Sequence, residues 1–341
     1  MSQSKKKRPD SRSVEKVPSS KAVDATPKGR RTAFIIASVV IVLILVIVGV
    51  GYYFSEDAKY GRLTIITVDD ISIKMPYFLK RAQLGDVDSI TLLNQLTHEQ
   101  LIKLEAPQYI GELTPEDIDQ GLRITASGGS GNISESEFKE WYRQQLNESK
   151  LSDTEYKEII RIGLLTVRLH EYLAERVPTA AEQVHLHIIL VETYEDAQEV
   201  RARWEAGEDF ADLAREVSVD EQSKEKGGEL GWFPRGVLTP DFDYTAFSLD
   251  MGDVSEPFPF YPYSETDEVL FSLLMVSEKA AVREIDEGHL QILRVQVLTN
   301  WLTQEMQFHE IKFNFNSEIA AWIGWQVAKT NPSSSGTSEG Q

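Results

Sequence analysis

The chain has no cysteine among its 341 residues, which excludes disulfides, thiolate nucleophiles and thiolate metal sites. Positive charge is scarce after the first 31 positions. That opening stretch holds ten Lys/Arg against three acids, a balance of +7 in a chain whose net charge is -19, so the remainder carries -26. So acidic a body repels phosphate backbones and offers nothing to a nucleic-acid partner. The six histidines are scattered without metal-ligand spacing, and no phosphate-cradling glycine loop or nucleophile elbow is present. No cofactor or metal is expected. Hydrophobic residues at 41 % and charged residues at 26 % are ordinary globular values, which excludes a wholly disordered chain.

Long apolar runs are absent with one exception. Residues 33–54, AFIIASVVIVLILVIVGVGYYF, hold no charge over 22 positions, and at about 1.5 Å per residue they can cross a hydrocarbon core of about 30 Å. A transmembrane helix over 32–54 is expected. Lys28, Arg30 and Arg31 flank one end and Tyr52, Tyr53 and Phe54 the other, so the N-terminus is expected in the cytoplasm and the C-terminal body outside it. A cleaved signal peptide is the competing reading, but its apolar region spans only about 7–15 residues and ends in a small-residue cleavage signal that is missing here. Residues 1–31 read as a disordered basic tail.

Beyond the anchor, alternation at 63–68 and 71–73 around Asp69-Asp70 predicts a small hairpin. Pro76 opens a helical pattern, and helices are predicted over 88–105, 114–123, 134–149 and 152–176. Thr114 before Pro115, Ser134 and Ser152 are their expected caps. The 60–180 region is therefore mainly helical. Residues 184–191 alternate as a strand, Thr193 caps a helix that Gly207 ends, and Phe210, Leu213, Ala214 and Val217 form the stripe of a second helix. GGELGWFPRG follows at 227–236, then a helix at 241–249 carrying Phe242 and Phe247, then Gly252 and a closing strand at 269–276. Strands alternating with helices over so few residues predict an α+β sandwich around a small sheet.

The ordered set HIIL, GEDFADLAREVS, GGELGWFPRG, Phe242, Phe247 and Gly252 resembles the parvulin family of peptidyl-prolyl isomerases over residues 183–279. The fold class is thus α+β, with a transmembrane helix, a mainly helical chaperone-like domain and a parvulin-like α+β sandwich domain. The activity implied is rotation about X-Pro peptide bonds, whose barrier of about 18–20 kcal/mol reflects lost amide resonance. A twisted amide has less charge separation, so an apolar cup that grips the proline ring and removes water favours it. By motif order the resemblance assigns that cup to Leu230, Leu238 and Phe242. The family also places two histidines beneath the amide with a Cys or Asp nearby. His187 takes the first position and Asp220 the acidic one, with Glu221 one residue away as the alternative. Ser272 stands where the second histidine is expected, which leaves either a slow enzyme or a site that only binds. Phosphate-dependent relatives use Arg/Lys clusters after the first strand. Here that segment is Glu192-Thr193-Tyr194-Glu195-Asp196, which repels phosphate.

A hairpin and helices placed before such a module also resemble the chaperone domain of envelope foldases, and a helical spacer is the alternative. The C-terminal region 284–328, helical over 287–310 and rich in Phe313, Phe315, Trp322, Ile323 and Trp325, either returns to that domain or stands alone. Residues 330–341 read as disordered. The partners implied are unfolded or newly translocated chains with X-Pro bonds, and the lipid bilayer through residues 33–54.

Overall fold

The structure is a computed structural model, and it describes residues 28–53, 56–85, 87–261 and 269–330. The chain divides into two compact units, residues 1–62 and 63–341. The first contains α1 (Lys28–Tyr53) and α2 (Glu56–Gly61). Side chains of α1 are described over 38–51, 14 residues or about 21 Å of helix. Their apolar members Val39 to Val48 are all half or more exposed. Among the described residues no helix is long and apolar enough to cross a membrane.

The second unit opens with the hairpin β1 (Thr64–Val68) and β2 (Ile71–Lys74), followed by α3 (Met75–Leu84), α4 (Ser89–Ile110), α5 (Pro115–Ala126), α6 (Glu135–Ser149) and α7 (Asp153–Ala174). Their starts follow from local chemistry. Thr114, Ser134 and Ser152 each accept a hydrogen bond from the backbone N–H three residues on, while Asp117, Glu137 and Glu155 accept from the cap's own N–H. Helix α4 packs on α7, and Ile118, Leu122 and Phe138 form a small core joining α5 and α6.

Then come β3 (Ala180–Val191), α8 (Tyr194–Glu205), α9 (Phe210–Val217), a one-turn 3-10 helix (Lys224–Lys226), β4 (Glu229–Pro234), α10 (Pro240–Ser248), β5 (Phe258–Phe260) and β6 (Leu270–Glu284). The four strands form one antiparallel sheet in the order β4-β3-β6-β5. Strand side chains alternate between faces, and here each face has its own core. Ile189, Val191 and Leu273 pack with α8 and α9, whereas Leu186, Ile188, Leu190, Leu274 and Val276 pack with α10.

The chain ends with α11 (Glu287–Glu305), β7 (Ile311–Phe313) and α12 (Ser317–Thr330). Helix α11 packs on α7 and α4, α12 packs on α3, and β7 joins the hairpin sheet in the order β2-β1-β7. The C-terminal region thus returns to the elements that precede β3, and the four-stranded module is inserted between them. The helix at 287–310 stops at Glu305, and β7 and α12 were not separated in the sequence because their apolar residues follow no clean period.

Candidate functional site: an apolar surface on the α10 face

The turn before α10 sets the geometry. Gly236 N–H donates to the Asp243 carboxylate at 2.8 Å, and the Arg235 guanidinium lies 4.0 Å from the Phe247 ring centroid. These contacts hold Arg235 and Gly236 against α10. Leu238 and Phe242 consequently share one partly buried apolar group with Leu249, Phe258, Phe260 and Leu270 above the sheet core. The Phe242 ring meets Phe258 edge-on at 4.8 Å and Phe260 at 5.9 Å between centroids. Beneath them Ser272, 0 % exposed, donates through Oγ to the Phe258 carbonyl at 3.0 Å.

Phe258 and Phe260 were missed in the sequence. The signal was the aromatic and proline repeat at 257–263, which reads as an irregular approach to β6 and supplies the short edge strand β5. Residues 262–268 of that approach lie outside the described residues.

Leu230 is set apart from this group. It is the extra residue of a bulge between the pairs Leu186–Gly231 and His187–Glu229, is 38 % exposed, and packs in neither core of the sheet.

His187 requires a correction. It was expected beneath the amide, but it lies on the opposite face of the sheet from Phe242. Its ring meets Phe210 of α9 at 6.4 Å and His185 at 5.3 Å, its Nε2 is 3.1 Å from Ser277 Oγ, and its Nδ1 is 3.4 Å from the Gly227 carbonyl. His185 in turn is 2.7 Å from Ser277 Oγ through Nδ1 and 3.2 Å from the Glu229 carboxylate through Nε2. Burial pushes the His187 pKa below its ordinary value, against the raising effect of the Gly227 carbonyl. The reason for the misplacement is the period of two: a shift of one position moves a side chain through the sheet. On the face of Phe242 the corresponding residue is Ile188, paired with Leu274. Among the described residues, the β3 and β6 positions under the aromatic group are therefore Ile188, Leu190, Ser272 and Leu274, with no imidazole.

Asp220 sits in the loop that covers β3 beyond the end of β4, where Ile188 and Leu190 have no strand partner on that side. Leu190 donates to Ser218 Oγ and accepts from Val219 N–H, and Ile188 N–H donates to the Gly228 carbonyl. The Asp220 carboxylate accepts from both the N–H and the Oγ of Ser223 and so closes the turn that leads into the 3-10 helix, while Glu221 is exposed. Gly227 and Gly228 complete the loop with φ of 70° and 78°, and a Cβ on Gly228 would collide with the Ile188 carbonyl oxygen. Because Leu190 pairs with Ser272, the Asp220 loop and Ser272 flank the same residue of β3 from opposite edges.

Residues 190–272 match the family model described as Rotamase, PPIC-type PPIase domain. The foldase protein PrsA of Oceanobacillus iheyensis is 31 % identical over 183 residues, 51 % of this chain and 57 % of the relative. PrsA of Caldanaerobacter subterraneus is 33 % identical over 49 % of this chain and 51 % of the relative, and PrsA of Halalkalibacterium halodurans is 28 % identical over 68 % and 70 %. The first two alignments span a little over half of those relatives' own length. The chain thus carries a parvulin-type (PPIC-type) peptidyl-prolyl isomerase domain and is similar to the PrsA foldases.

Proposed function

We propose that the chain is a foldase whose β3–β6 module turns over X-Pro bonds of unfolded or newly translocated proteins on the apolar surface of Leu238, Phe242, Phe258 and Phe260. The observation that carries this reading is the edge-on packing of Phe242 against Phe258 over Ile188, Leu190, Ser272 and Leu274, which among the described strand residues bring no charge beneath it. A proline ring seated there loses its water, and the flanking amide loses the solvation that favours its planar, charge-separated form. Asp220 and Ser272 act by positioning, through their hydrogen bonds to Ser223 and to the Phe258 carbonyl. Turnover then rests on desolvation, because no imidazole shares the face.

A second reading is favoured by the same positions. With Ile188 and Ser272 beneath the surface, the module binds X-Pro segments without accelerating them, as a chaperone. Exchange spectroscopy on a short Ala-Pro peptide separates the two. Isomerase action shows as faster cis/trans exchange cross-peaks, whereas peptide shift changes without faster exchange support the chaperone.

The setting is proposed from charge and hydropathy. Residues 33–54 anchor the chain in a bilayer with the basic N-terminus in the cytoplasm and the acidic body outside, which suits clients emerging from secretion. The helical elements around the module hold apolar segments of the same clients. The acidic segment 192–196 disfavours phosphorylated X-Pro sites and nucleic acid alike. Protease accessibility of the C-terminal body in intact cells tests the orientation, and protection from external protease overturns it.

A further inference from the structure

Where the C-terminal region returns to the first hairpin, three side chains from two distant parts of the sequence converge. Glu105 of α4, Glu305 at the end of α11 and His309 in the following turn bring one ligand atom each to within 4.8 Å of one another. Their side chains are 21 %, 16 % and 11 % exposed.

The imidazole is fixed before any ligand arrives. His309 Nδ1 lies 2.6 Å from the Asp69 carboxylate, 240 residues away in sequence. The same turn is anchored by Glu310 N–H donating to Asp69 and Asp69 N–H donating to the Glu310 carbonyl. A neutral His309 that donates through Nδ1 presents the lone pair of Nε2 to the two glutamates. Nε2 is 3.5 Å from Glu105 Oε1 and 4.0 Å from Glu305 Oε2. A charge-assisted hydrogen bond would be about 2.7–2.9 Å long, so neither contact is one. Two ligands about 2.0–2.2 Å from a tetrahedral ion stand about 3.4 Å apart, near the separations found. The second oxygen of Glu105 is engaged by Gln108 Nε2 at 2.6 Å, which turns Oε1 toward the histidine. A carboxylate holding the far nitrogen of a histidine is the usual second support of a metal ligand.

We propose that Glu105, Glu305 and His309 bind a divalent transition-metal ion of the zinc class, with Asp69 orienting the histidine. One imidazole nitrogen and two carboxylates suit zinc, whereas calcium and magnesium take oxygen ligands and larger or more hydrated shells. The ion joins α4, the end of α11 and the β1–β2 turn, and so clamps the C-terminal region onto the hairpin across the inserted module. Its role is structural and independent of the proline-binding surface.

The test uses the full chain freed of metal by chelation, titrated with zinc chloride by calorimetry and followed by thermal unfolding. One equivalent should bind with micromolar or tighter affinity and raise the melting temperature by several degrees, since a ligand of the native state alone stabilises it. His309→Ala should abolish binding. Glu305→Gln keeps the side-chain shape, and Glu305 makes no hydrogen bond that its loss would break, so this variant should fold and bind at least tenfold more weakly. His187→Gln should bind as the wild type does. Absence of a stoichiometric site, or unchanged affinity in Glu305→Gln, overturns the proposal. An equal melting shift from calcium at the same concentration overturns the assigned metal class.

Discussion

Ser272 and Phe258 are joined by a hydrogen bond of 3.0 Å from the Ser272 hydroxyl to the Phe258 carbonyl. The bond ties β6 to the edge strand whose ring supports Phe242, and it occupies the Ser272 hydroxyl beneath the aromatic group. Ser272→Ala should therefore lower stability by about 1 kcal/mol, through an acceptor left without its donor, and change the isomerisation rate less than threefold. Denaturant melts with peptide-exchange rates on the same samples check both parts. A tenfold loss of rate at unchanged stability would assign the hydroxyl a direct role instead.

The histidine on the far face has its own signature. Burial lowers the His187 pKa in the folded state, so the unfolded chain binds more protons between that lowered value and the ordinary value of about 6.5. The associated stability is fully present above about pH 6.5 and is lost as pH falls toward the folded value. Unfolding free energy should rise from pH 5 to pH 7, and His187→Gln should rise less steeply. Some slope remains in the variant because burial also lowers His98. The isomerisation rate should stay flat over the same window, since no imidazole faces the aromatic group.

Gly228 lies at a positive φ of 78° against β3, with no room for a Cβ beside the Ile188 carbonyl. Gly228→Ala should cost upwards of about 2 kcal/mol and loosen the loop that carries Asp220. Hydrogen exchange at the Ile188 and Val219 amides should accelerate in the variant if it remains folded.

Arg81 and Glu99 form a paired contact at 2.6 and 2.7 Å with side chains 7 % and 14 % exposed. Removing the acid leaves a buried guanidinium without its counterion. Glu99→Ala should destabilise the chain by about 3 kcal/mol, read from the shift of the denaturation midpoint.

Much of the fold was legible because it rests on local signals. Thr114, Ser134 and Ser152 cap their helices as short-range rules require, and the Gly227-Gly228 pair marks a backbone approach that only glycine permits. Of the residues proposed to face proline, Leu238 and Phe242 pack against one core cluster, whereas Leu230 stands on a bulge, and bulges leave no mark in an alternating pattern. His187 was misplaced because adjacent strand residues differ in face, so an error of one position inverts the chemistry. The pairing of β7 with β1 was not legible, since contacts across some 240 residues have no local signature.

The central claim is that the Phe242 surface, and not His187, carries the isomerase function. Exchange spectroscopy on one Ala-Pro peptide with three proteins tests it directly. The wild type should exchange the peptide faster than the uncatalysed rate, Phe242→Ala should lose at least tenfold, and His187→Ala should stay within threefold of the wild type. No acceleration by the wild type, an unaffected Phe242→Ala, or a His187→Ala variant as impaired as Phe242→Ala would contradict the account.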